Sequence, residues 1–173
     1  MNKHTFPILL TNPKILIIGG GNVALQKAIA LKNNNINFKI ISKKITKDLK
    51  KLISKRKKKK FKLKDIKNHN IIIDATGDEK VAKKLLKYKK KHNILLNIVN
   101  NPKKCDFYFM ALTKNRPLQI AVSSNGASPT VAKIFRDRCE KLIPDDLSKY
   151  LKQKHKQRKK GIINIKKTKK DFD

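Results

Sequence analysis

Three consecutive glycines, Gly19, Gly20 and Gly21, follow the apolar run Ile15 to Ile18 and lead at once into Val23, Ala24, Ala28 and Leu31, which recur at helical spacing. Gly19, Gly21 and Ala24 match the pattern glycine, any residue, glycine, any two residues, then glycine or alanine. Each small residue has a distinct task in holding a dinucleotide. The first permits a tight turn, the second lets backbone approach a pyrophosphate, and the third lets helix pack closely on strand. The phosphates would rest on the N–H groups at the helix N-terminus. The same glycine-rich turn also occurs as a plain packing device, so the neighbouring chemistry has to decide.

At the end of the next apolar segment, Asn37 to Ile41, an NAD site usually places Asp or Glu against the ribose hydroxyls. This chain has Ser42, Lys43 and Lys44. Either the ribose is held otherwise or a 2′-phosphate is tolerated. A second chemistry-bearing turn, Thr76-Gly77-Asp78, follows the run Ile71 to Ala75 and would lie at the carboxyl edge of a sheet, where open α/β folds bind ligands. Asp78 is expected to cap the helix that carries Val81, Ala82, Leu85 and Leu86. Cys105 and Cys139 form no metal or redox spacing, and His4, His69, His92 and His155 are scattered, so no metal ligands are assigned.

These groups need a scaffold of alternating strands and helices. Ile15–Ile18, Asn37–Ile41, Ile71–Ala75 and Ile94–Val99 read as buried parallel strands, and the segments between them carry helices, including a short one over Ile45–Ile53. Phe6–Leu10 reads as an edge segment, Lys55–Lys60 as a solvated connection and Phe61–Leu63 as a short strand. The fold class is α/β, a Rossmann-type doubly wound parallel sheet over residues 1–112. A small α+β dimerisation element over 113–144 follows. Strand Phe107–Leu112 leads into it through a turn at Asn115–Pro117, and within it follow strand Leu118–Ser123, Ser124-Asn125-Gly126, a Ser128-Pro129 cap and a helix whose stripe is Val131, Phe135, Cys139 and Leu142. Residues 145–173 supply a short C-terminal helix to about Gln157 and a loose basic tail.

Composition bounds the rest. Forty-five Lys and Arg against 12 Asp and Glu leave a formal charge of +33, a field that attracts polyanions. Nearly all of it is Lys spread through every segment, with 6% aromatics, whereas nucleic-acid readers concentrate Arg and aromatics on one face. A nucleic-acid partner is therefore disfavoured. Two cysteines and no apolar run of transmembrane length favour a reducing, cytoplasmic location with no membrane partner.

The glycine turn GGGNVA, the DATGD turn, the segment NIVNNPKKCDF and the block IAVSSNGASPTVAKIFRDRCEKLIP, in this order, resemble the precorrin-2 dehydrogenase/sirohydrochlorin ferrochelatase family, which also forms the N-terminal module of siroheme synthase. The likeness covers about Phe6 to Leu147. It implies a homodimer that oxidises precorrin-2 to sirohydrochlorin with NAD, in many members followed by Fe2+ insertion. It further implies that Asn22 and Val23 contact the cofactor, that Lys43 and Lys44 border the adenosine ribose, and that Thr76 lies beside the nicotinamide. Ser124 matches a serine at the mouth of the tetrapyrrole cleft, phosphorylated in some members. The family's acid/base aspartate falls at Asn100, and a carboxamide takes no proton near neutral pH. Three expectations follow: Asn100 positions substrate while water or another group takes the proton, Asp106 or Asp74 substitutes, or the chain is a binding relative without turnover.

Overall fold

The computed structural model describes residues 4–5, 8–53, 56–114 and 118–171. They form two compact units. The first contains the described residues up to Phe109 together with Asn125–Ala127, and the second contains Met110–Ser124 and the chain from Ser128 onward.

In the first unit, strands β1 (Ile15–Ile18), β2 (Phe38–Ser42), β3 (Arg56–Lys58), β4 (Ile71–Asp74) and β5 (Leu95–Ile98) make one parallel sheet in the order β3-β2-β1-β4-β5. Helices α1 (Asn22–Lys32), α2 (Lys47–Leu52) and α3 (Glu79–Lys89) cross between strands. The strand order reverses between β1 and β4, which is where doubly wound sheets open a crevice for ligands. Strands β1 and β4 are buried throughout because both faces of the sheet are covered there. Leu16, Ile18, Ile72 and Leu96 pack with Ala82 and Leu85 on one face, while Ile15, Ile17, Ile40 and Ile73 pack with Ala24, Ala28 and Leu49 on the other. That division follows from the two-residue period of a strand.

The register brings the carboxyl ends level. Ile18 pairs with Ile41 and with Asp74, and Asp74 pairs with Ile98. Bonding runs one residue further: Gly19 N–H donates to Ile41 O (3.0 Å), Ala75 N–H to Ile18 O (2.8 Å) and Val99 N–H to Asp74 O (3.0 Å). The next residues along, Gly20, Lys43, Thr76 and Asn100, therefore leave the sheet side by side, with neighbouring strands about 4.8 Å apart.

Two expectations are corrected. Arg56–Lys58, read as a solvated connection, is a strand: its side chains are all exposed and carry no apolar signal, but its backbone completes the open edge of β2. A charged edge of this kind also discourages pairing with other chains. Phe61–Leu63 is not a strand, since Leu63 opens a 3₁₀ turn over Leu63–Ile66 that sends Ile66 into the core. Phe6 and Pro7 lie outside the described residues.

In the second unit, β6 (Ala111–Leu112) and β7 (Ala121–Val122) pair antiparallel, a shorter hairpin than expected, and its turn at 115–117 lies outside the described residues. Thr113 extends the pairing, with its N–H to Ile120 O (3.1 Å) and its buried Oγ1 accepting from Ile120 N–H (3.0 Å). Helix α4 (Pro129–Glu140) starts as expected, with Ser128 Oγ accepting from Val131 N–H at 3.2 Å. Helix α5 spans Leu147–Lys159, and the expected loose tail instead forms helix α6 (Ile165–Lys170). Polar contacts rather than apolar burial hold α6: Asn164 caps it, Tyr150 Oη donates to Asp171 (2.7 Å) and Lys154 Nζ to Thr168 Oγ1 (2.8 Å). A hydrophobicity argument could not anticipate them.

Candidate functional site

The glycine turn separates its three members by function. Gly19 has φ +122°, and a Cβ there would stand 2.5 Å from Ala75 O. A Cβ on Gly20 would stand 2.1 Å from Lys44 O and 2.8 Å from Ser42 Oγ. Both residues are buried, packed against the ends of β4 and β2. Gly21 is exposed, with nothing within 4 Å of a Cβ position. Ala24, the third fingerprint position, is completely buried beneath α1.

Helix α1 begins at Asn22 with no side-chain cap and no acidic residue in its first turn. Its first N–H groups, which have no partner inside a helix, thus point into the open space beside Gly21, with exposed Asn22 and Val23 flanking it. That space suits a pyrophosphate on three counts: uncapped donors, the positive end of the helix dipole, and a position without a side chain. The residues fit the dinucleotide.

Beside this cradle, Ser42 Oγ donates to Lys44 O (2.7 Å) and Thr46 N–H donates to Gly20 O (3.0 Å), so the Lys43-Lys44 turn is tied to the glycine turn. Both lysine side chains are exposed, and no carboxylate stands at the end of β2.

On the other side of the switch point, Thr76 is exposed and Asp74 buried, at 2% exposure. Asp74 Oδ1 accepts from Thr76 Oγ1–H (2.7 Å) and Thr76 N–H (3.1 Å), and Asp78 N–H donates to Thr76 Oγ1 (3.1 Å). Burial pushes the Asp74 carboxyl above its ordinary range. The Thr76 hydrogen bonds pull against that rise and the charge of Asp78 adds to it. Asp78 also caps α3, as expected, by accepting from Lys80 N–H at 2.8 Å.

Asn100 is exposed, two residues past the end of β5. Asp106 is committed elsewhere: its carboxylate accepts from Leu96 N–H (2.8 Å) and pairs with Lys89, alongside the first half of β5 rather than its carboxyl end. In the second unit Ser124, half-buried just after β7, accepts from Ser128 N–H (3.0 Å) at the start of α4.

Within the first unit, then, Gly19, Gly21, Asn22, Val23, Lys43, Lys44, Thr76 and Asn100 stand along one sheet edge. Gly20 has no role assigned from the sequence, and Asp74, one of the two expected substitutes for an acid at position 100, lies buried beside Thr76 at this edge. The sequence did carry a signal for Asp74, a lone acid closing an otherwise all-isoleucine strand.

Comparison with known proteins bears on family and fold. A family model described as putative NAD(P)-binding matches residues 7–111, and one described as sirohaem biosynthesis protein central matches residues 115–142. The siroheme synthase of Psychrobacter arcticus is 34% identical over 155 residues, and that of Mannheimia succiniciproducens 30% identical over 169, covering 86% and 91% of this chain. The chain spans only 28% and 36% of the length of those two relatives. Among solved structures, SirC, a precorrin-2 dehydrogenase, superposes with a TM-score of 0.65 at 20% identity, covering 96% of this chain and 86% of that one, and so has the same fold. Among the described residues no helix is long and apolar enough to cross a membrane, and no group of three or more His, Cys, Asp and Glu is placed to hold a metal ion. With an uncapped helix over an open glycine at the switch point and more than half of its length matched by that model, the chain belongs to the NAD(P)-binding family.

Proposed function

We propose that this protein is an NAD-dependent dehydrogenase that oxidises precorrin-2 to sirohydrochlorin in siroheme biosynthesis, in the cytoplasm. The observation that carries this reading is the open Gly21 cradle standing in one row with Thr76 and Asn100. When bound, the nicotinamide supplies a hydride acceptor. The chain's residues do the remainder. Gly21, Asn22 and Val23 hold the pyrophosphate, Lys43 and Lys44 flank the adenosine ribose, and Thr76 borders the nicotinamide. Asn100 orients the macrocycle by hydrogen bonding. The charge of +33 draws in a polycarboxylate substrate. Fe2+ is a substrate for a second, chelating step.

The test is incubation of purified protein with precorrin-2 and saturating NAD+. Sirohydrochlorin absorbance is the expected result, and an unchanged spectrum overturns the reading. Asn100 supports one alternative, a relative that binds without turnover. Tight NAD+ or sirohydrochlorin binding with no reaction would select it.

With lysines where an acid usually excludes a 2′-phosphate, NAD+ and NADP+ dissociation constants are expected to lie within about tenfold of each other. Lys44→Glu should widen that ratio by roughly another factor of 10 in favour of NAD+. Calorimetry with both cofactors decides it.

The dimer is part of the same proposal. Val131, Ile134 and Phe135 on α4 are 47%, 47% and 51% exposed, and Leu142 just beyond it is 79% exposed. This spacing makes one apolar face, whose occupant is a second copy of the chain. Phe135→Asp is expected to convert a dimer to a monomer in sedimentation, and a monomeric wild type would dismiss the interface.

A further inference from the structure

Asp74 is the buried acid among the described residues, and no Lys or Arg among them forms an ion pair with it, although the chain carries 45. Ionising such a group is unfavourable. The turn itself does not need a carboxylate, because an asparagine at this position would make the same turn without a charge. Its register partners on β1 and β5, Ile18 and Ile98, are apolar, and the charged group facing it is Asp78 at the start of α3. What the carboxyl does touch is the hydroxyl of exposed Thr76, at 2.7 Å. A short path therefore leads from the row containing Gly20, Thr76 and Asn100 to a carboxyl shielded from solvent.

We propose that Asp74 receives, through the Thr76 hydroxyl, the proton that the substrate loses on oxidation, a task for which Asn100 has no carboxylate. The inference rests on the dehydrogenase reading above. In that reaction the substrate loses a hydride, which reduces the nicotinamide, and one proton from a neighbouring ring position. Thr76 Oγ1 takes this proton while passing its own to Asp74 Oδ1, so the carboxylate becomes a carboxylic acid and later releases its proton to water. Thr76 is the group in contact, and Asp74 acts through it as a positioning and proton-storing residue. The raised affinity of Asp74 for protons serves this role, since an acceptor works best when its pKa approaches the working pH.

The discriminating variant is Asp74→Asn, which keeps an oxygen to accept from Thr76 and removes proton uptake. Turnover is expected to fall on the order of 100-fold, and the rise of rate with pH expected of the wild type should disappear. NAD+ affinity should stay unchanged, and at neutral pH the melting temperature should equal or exceed that of the wild type, because a buried charge has been removed. Thr76→Ser should retain turnover and Thr76→Val should lose it. Wild-type turnover and pH profile in Asp74→Asn would overturn the relay alone. Lost turnover together with weaker NAD+ binding and a lower melting temperature would assign Asp74 a structural role and overturn it too. A wild type that does not oxidise precorrin-2 removes the dehydrogenase reading and the relay together.

Discussion

Gly20→Ala is expected to unfold the glycine turn, whereas Gly21→Ala, one residue later, should leave the fold intact and abolish tight cofactor binding. A methyl group on Gly20 would stand 2.1 Å from Lys44 O, a backbone atom with little freedom to move, and 2.8 Å from Ser42 Oγ. Relief requires parting the turn after β1 from the turn after β2, with loss of the Thr46 N–H to Gly20 O bond. Overpacking of this severity costs about 3 kcal/mol, and in a chain of 173 residues lowers the melting temperature by roughly 10 °C. Gly21 meets nothing within 4 Å and does not have a left-handed φ, so alanine there should change stability by less than about 0.5 kcal/mol. Its methyl would occupy the space reserved for the pyrophosphate and weaken NAD+ binding roughly 100-fold, about 2.7 kcal/mol. Paired thermal melts and NAD+ titrations separate the two effects. Undiminished cofactor binding by Gly21→Ala would remove the cradle from the mechanism.

The second large effect is a gain. Asn100→Asp places a carboxylate at the exposed edge position next to Thr76, where the family to which the sequence was likened carries its acid/base group. Turnover of precorrin-2 is expected to rise on the order of 100-fold, the lower end of the range for an added acid/base group. The gain should be greater in an Asp74→Asn background, because the two carboxylates would then serve one proton, and groups sharing a task are not additive. Equal gains in both backgrounds would mean that the residues act independently. No gain in either would take position 100 out of the proton path.

The pH dependence of stability has a defined sign at Asp74. Its folded carboxyl binds the proton more tightly than the unfolded one does. Its contribution is therefore fully favourable below the unfolded pKa and is lost as pH rises through the raised folded value. Asp74→Asn should flatten that part of the melting temperature against pH curve. Retaining a group that lowers stability at neutral pH is what a functional carboxyl implies.

The isoleucine-rich strands, the glycine turn, the Thr76 turn and the Ser128-Pro129 cap were legible because each depends on contacts within a few residues: apolar runs, small-residue spacing, a local side-chain cap. The same holds for the substitution at position 100, which is a statement about chemistry rather than placement. Strand Arg56–Lys58 and helix α6 were not legible. The first exists because β2 has a free backbone edge, and backbone pairing ignores side-chain polarity. The second is held by hydroxyl, ammonium and carboxylate groups more than ten residues away, such as Lys154 with Thr168. The division of labour among the three glycines was equally hidden, since only the folded turns after β2 and β4 close over Gly19 and Gly20 and leave Gly21 open. Local sequence thus determined which elements form and which groups could react. Tertiary structure decided which of those groups share an edge, because strand register, a property of long-range pairing, sets Thr76 level with Asn100 and buries Asp74 directly beneath Thr76.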